Sequence, residues 1–204
     1  MLWALAGALV ASAAWGGGVL LTRNDSGSSA DLRGYTLKND LCATADVSAF
    51  RAKYPQADNS PTTYTAKGDT LDEMSCNEGL EMSGSSYSDA YLSIQVDLHK
   101  KTDPAPEFAD TWLGWKQHGT SYDVVPVSGF GDEAYLVTED TVDSSGSGDR
   151  YVTLAVRDGW MTYSMNWSVY ATSYDTGAGK TPPSIDDGTD WVKTSTRATL
   201  AKLK

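Results

Sequence analysis

The stretch Arg150 to Tyr170, RYVTLAVRDGWMTYSMNWSVY, alternates apolar and polar side chains on both sides of an Asp158-Gly159 pair. Alternation with a period of two puts successive side chains on opposite faces of a strand. Asp-Gly tolerates the positive φ angles of a two-residue turn, so the segment predicts a β-hairpin. With Asp158 and Gly159 as the loop, Arg157 stands opposite Trp160, Val156 opposite Met161, Leu154 opposite Tyr163 and Val152 opposite Met165. Ala155, Thr153 and Tyr151 then meet Thr162, Ser164 and Asn166 on the other face. One face is apolar and the other polar, so the chain must bury one side of a sheet. Arg157 is expected to lie over the Trp160 indole at the solvent end, an interaction of about 0.5 to 1 kcal/mol.

The elements around the hairpin repeat these patterns. Asp46 reads as the N-cap of a short helix, Val47 to Tyr54, stopped by Pro55. Thr62 to Lys67 and Leu71 to Met82 read as strands, with Gly68-Asp69 between them. Tyr87 to Lys100 is a longer strand, turning Leu92, Ile94, Val96 and Leu98 inward and Tyr91, Ser93, Gln95, Asp97 and His99 outward. Asp103-Pro104 opens a second helix, carrying Phe108, Trp112 and Trp115 on one stripe and ending at Gly119. Strands Tyr122 to Val127 and Glu133 to Glu139 flank Gly129-Phe130-Gly131-Asp132. A last helix begins near Asp187, with Asp190 at its third position, and buries Trp191, Val192, Ala198 and Leu203. The order predicts an α+β fold: a mainly antiparallel sheet with helices packed on one face.

Residues 1–22 contain no charged side chain, and that length approaches the ~20 residues needed to cross a bilayer. They read as a transmembrane anchor or a signal helix. Ser12-Ala13-Ala14 suits cleavage, whereas the apolar run continuing through Leu21 and the missing basic n-region favour a retained anchor over secretion after cleavage. Residues 23–30 form a Ser/Gly tether, and residues 31–204 the extracytoplasmic domain. Arg23 alone would keep that domain inside by the positive-inside count, but long domains translocate largely regardless of charge. Cys42 and Cys76 lack metal or redox spacing and are expected to pair outside the cytoplasm, the alternative being two buried thiols.

Sixteen Lys and Arg against 27 Asp and Glu leave a net charge of -11, with no basic stripe, which argues against nucleic acid as a partner. No serine-nucleophile elbow, zinc-protease helix motif or phosphate loop is present. His99 and His118 fall on different elements and read as surface residues. Asp140, Asp143 and Asp149, or Asp186, Asp187 and Asp190, offer calcium oxygens, but neither run has the twelve-residue calcium loop, so solvated loop and helix cap are preferred. No catalytic residue, metal or cofactor is assigned. The candidate ligand face gathers Tyr91, Ser93, Gln95, Tyr151, Thr153, Arg157, Thr162, Ser164, Asn166 and Tyr170. Small hydroxyls bordered by aromatics suit a glycan, a peptide or a small polar ligand, and an ordinary solvated sheet face has the same composition.

The apolar segment and tether, Asp40-Leu41-Cys42, a second cysteine in a strand and Gly129-Phe130-Gly131-Asp132-Glu133-Ala134-Tyr135 together resemble small envelope domains of actinobacteria. Those domains include lipoproteins of unknown function and extracellular sensor domains of Ser/Thr kinases. The resemblance spans most of residues 31–204 and implies an α+β fold with a disulfide. It brings no catalytic residues. The chain departs from the lipoproteins by lacking a lipid-acceptor cysteine and from the kinases by lacking a kinase domain. The expected role is non-enzymatic binding of an envelope glycan, peptide or protein by a membrane-tethered domain. The alternatives are an envelope hydrolase or transferase, or a structural element of a membrane assembly.

Overall fold

The computed structural model describes residues 29–57, 61–171 and 182–204. The expected membrane segment 1–22, the tether up to residue 28 and the loop 172–181 lie outside them. Among the described residues no helix is long and apolar enough to cross a membrane.

Helix α1 (Leu41–Thr44) and a 3-10 turn (Ser48–Phe50) precede strands β1 (Gln56–Ala57), β2 (Thr62–Lys67), β3 (Leu71–Glu81) and β4 (Ala90–His99). Helix α2 (Ala105–Leu113) continues into a 3-10 turn (Gly114–Gln117). Strands β5 (Tyr122–Pro126), β6 (Glu133–Asp140), β7 (Gly148–Asp158) and β8 (Met161–Ala171) follow, and helix α3 (Ile185–Leu203) closes the chain. The strands form one antiparallel sheet in the order β1-β3-β4-β8-β7-β6-β5, with β2 also pairing on the outer side of β3. This is the expected α+β class.

The hairpin forms with a different register. Asp158 pairs with Met161, Val156 with Tyr163, Leu154 with Met165 and Val152 with Trp167, so the loop is Gly159-Trp160. The slip is two residues, and an even slip leaves every side chain on its expected face. Gly159 takes a φ of +63°, while Trp160 stays in the ordinary region, as a turn with glycine at its first central position requires. Arg157 consequently faces Thr162 rather than Trp160, and its guanidinium goes to Glu133 at 3.3 Å.

The apolar face of the sheet carries Met74, Ile94, Val96, Leu154, Val156, Tyr163, Met165 and Trp167, all buried. Helix α3, the Phe50 and Tyr54 turn and α1 seal it. Cys42 on α1 is bonded to Cys76 on β3, with Cα atoms 5.0 Å apart, which fastens the N-terminal segment onto the sheet. The helix expected over Val47 to Tyr54 is only a short 3-10 turn, Ser48–Phe50, with Asp46 Oδ1 accepting from both the amide and the hydroxyl of Ser48.

Helix packing on a single face is not what the structure shows. Helix α2 lies on the opposite face, where Phe108 packs with Val124, Tyr135, Val137 and Ala155. Those residues make the outward side of β5, β6 and β7 partly apolar, so this half of the second face also needs a cover. The half formed by β3, β4 and β8 keeps Ser75, Asn77, Ser93, Gln95, Ser164 and Ser168 instead. Asn77, Tyr91 and Tyr170 on it are exposed.

Candidate functional site

The boundary between the covered and open halves of this face is a step. Its floor is the outward row of β4 and β8, where Gln95 pairs with Ser164 and Asp97 with Thr162. Its wall is the flank of α2. Pro104 opens that helix, with Asp103 Oδ1 accepting from the Ala105 amide at 2.9 Å, and the helical spacing brings Glu107, Phe108, Thr111 and Trp112 to the same side. Between floor and wall is a cleft of about 270 Å³, also lined by His99. The volume suits a few non-hydrogen groups of a ligand, and the lining joins an aromatic wall to a hydroxyl and amide floor.

Asp97 is the carboxyl of the floor. Burial pushes its carboxyl above the usual carboxylate range, against the opposing pull of the Gln95 amide and the nearby His99. Gln95 Nε2 donates to Asp97 Oδ1 at 2.7 Å, and His99 Nε2 lies 3.4 Å from Thr162 Oγ1. No lysine or arginine lines the cleft. The site therefore offers neutral hydroxyls, an amide and carboxylates to a ligand, and it disfavours an anion.

The ten residues of the expected ligand face all lie on this one face, but they do not line a single hollow. Gln95, Thr162 and Ser164 line the cleft. Tyr91 and Ser93 line a second hollow of about 230 Å³ with Thr62, Asn77, Glu78, Gly79 and Leu92, further along β4. Tyr170 is exposed. Thr153 is buried, and its hydroxyl accepts from Asn166 Nδ2 at 2.9 Å, which occupies both side chains within the sheet. Tyr151 is stacked under Trp115, ring centres 5.5 Å apart, so α2 and its 3-10 turn remove it from the open surface. Arg157 is drawn to the sheet end by Glu133 and Asp132.

The sequence reading missed the wall. The stripe Phe108, Trp112, Trp115 was legible, but nothing in the pattern says which sheet face the stripe covers. His118 is exposed and stacked on Trp115 at 4.7 Å, away from the cleft. The acidic runs have other work. Asp140 holds Arg150 at 3.1 Å and Asp187 caps α3. Among the described residues no group of three or more His, Cys, Asp or Glu is placed to hold a metal.

No family model, curated protein or solved structure matches this chain. The functional reading therefore stands on the geometry of the cleft and the open sheet face.

Proposed function

We propose that this chain is a membrane-tethered, extracytoplasmic domain of an actinobacterial cell envelope that binds a polar ligand in the cleft beneath α2. The observation that carries the binding reading is the step itself. A helix covers the apolar half of the second face and stops where the side chains become hydroxyls and amides, leaving Trp112 and Thr111 over Gln95, Thr162 and Ser164. The tethering reading draws on the uncharged residues 1–22 and the Ser/Gly segment after them, and the Cys42–Cys76 disulfide suits an oxidising compartment. A two-dimensional NMR screen with small polar fragments tests the site. Shifts should converge on Gln95, Thr162, Ser164 and the Trp112 indole, and shifts concentrated elsewhere would contradict it.

One observation favours a second reading. Asp97, His99 and Glu107 all line the cleft, and the Asp97 carboxyl is raised by burial. Converging ionisable groups with a perturbed carboxyl are the setting of general acid-base catalysis, so an envelope hydrolase or transferase is the alternative. If the ligand is turned over, Asp97→Asn should abolish turnover while leaving ligand binding within a few-fold.

A further inference from the structure

Resting on that cleft reading, we propose that the ligand is an extended, uncharged glycan chain lying along β4, with one end at Trp112 and the other at Tyr91. The two hollows of the open face share this strand. Gln95, Asp97 and His99 line the hollow under α2, and Tyr91 and Ser93 line the other. Six residues of strand separate Tyr91 from Asp97, a span of about 20 Å at the rise of a β-strand. A compact ligand fills one hollow and leaves the second idle, whereas a linear polymer reaches both.

Charge and hydrogen bonding narrow the polymer. On this face the outward positions of β3, β4 and β8 carry Glu73, Glu81, Asp97 and His99 as their acidic and basic groups, with no lysine or arginine among them. Anionic polymers are therefore repelled. A peptide bound by strand addition draws its affinity from main-chain hydrogen bonds at a sheet edge. Here β4 is paired on both sides, with β3 and with β8, so its backbone has no bonds left to give. Side chains must make the contacts. Hydroxyl and amide groups such as Ser93, Gln95 and Ser164 both donate and accept, as sugar hydroxyls do. The rings of Tyr91, 62% exposed, and Trp112 offer apolar faces with a polar edge, suited to the C–H faces of a sugar ring.

The test is an array of neutral linear oligosaccharides, from mono- to hexasaccharide, with uronate oligosaccharides and oligolysine as further probes, presented to the purified full chain. Affinity should rise by about tenfold or more between mono- and tetrasaccharide. Tyr91→Ala should remove that gain while leaving monosaccharide binding and the melting temperature unchanged, and Gln95→Ala should weaken both lengths. Binding that is independent of length and of Tyr91 overturns the extended chain and leaves the cleft reading standing. Strongest binding to uronate or oligolysine overturns the uncharged glycan. If no oligosaccharide binds while small fragments still shift the cleft resonances, the glycan is wrong and the cleft is right. If neither binds, both fall.

Discussion

Gly159 shows how much one position can decide. The Asp31 carbonyl accepts the Trp160 amide at 2.8 Å, the Asp132 carboxylate accepts the Gly159 amide at 2.9 Å, and a Cβ on Gly159 would collide with the Asp31 carbonyl oxygen. Gly159→Val should cost about 2 kcal/mol or more through backbone strain and that collision. Trp160→Ala, at a half-buried site off the Arg157 guanidinium, should cost about 1 kcal/mol. Urea denaturation of the two variants gives the order, and a larger loss at Trp160 would contradict the turn. The same contacts explain why the register was not legible. Asp158-Gly159 is the better local turn signal, but the loop is placed by Asp31 and Asp132, which lie far away in sequence. The faces survived because the slip was even. Asp97 carries a second residue-scale prediction. Its carboxyl is raised by burial, so the folded state binds its proton more tightly than the unfolded chain does. That makes Asp97 neutral for stability below about pH 4 and a cost above its folded value. Asp97→Asn should match the native melting temperature in acid and exceed it at neutral pH. A lower melting temperature at pH 7 would show that the carboxylate stabilises the fold.

Among the elements, α3 departs furthest from its amphipathic pattern. Its buried side contains Gly188, Ser195, Thr196 and Thr199 as well as Val192, Leu200 and Leu203. Gly188 sits directly on the Trp167 ring, where a Cβ would come within 2.6 Å of the indole, and this close approach seats the helix on β8. The apolar stripe of Trp191, Val192 and Leu203 announces the helix but not its small-residue contacts, and reading Asp187 as the cap placed its start three residues late. The actual cap is Ser184, whose hydroxyl accepts from the Asp187 amide at 3.1 Å while the Asp187 carboxylate accepts the Ser184 amide at 3.0 Å. Ser184→Ala should cost about 1 kcal/mol in urea denaturation. The Ser184 hydroxyl and amide hold the Asp187 carboxyl below the usual carboxylate range. That contribution is present at neutral pH and is lost as pH falls through the lowered value, so the difference between variant and native proteins should narrow in strong acid to the part made by the bond from the Asp187 amide. A constant difference down to low pH would mean the serine acts through the Asp187 amide alone and the carboxylate bonds add nothing. Helix α2 was legible as an element because Asp-Pro is a strong start signal and three aromatics share its stripe. Its face was not, since β5, β6 and β7 had to be ordered before their apolar outward side could be seen.

For the whole molecule, the disulfide and the two unlike sheet faces set the balance. The Cys42–Cys76 bond closes a loop with a sequence separation of 34. Losing it in Cys42→Ser should cost about 3 to 4 kcal/mol in the chain-entropy account, read as a fall in the urea midpoint. The sequence showed the strands, the inward rows of β4 and β8 and the polar character of the other face, because a period of two is a local property. It could not show that a helix covers half of that face, which depends on strand order. The central claim is that the uncovered half serves binding and is not needed for folding. Ser93 and Ser164 lie on it, one in each hollow. Valine favours a strand more than serine does, so the change should not weaken the sheet, whereas it removes one hydroxyl from each hollow of the proposed ligand surface. The direct measurement is the melting temperature and the fragment-induced NMR shifts of the Ser93→Val/Ser164→Val double variant. An unchanged or raised melting temperature with the cleft shifts lost is the predicted result. A destabilised fold, or shifts that persist undiminished, would contradict the account.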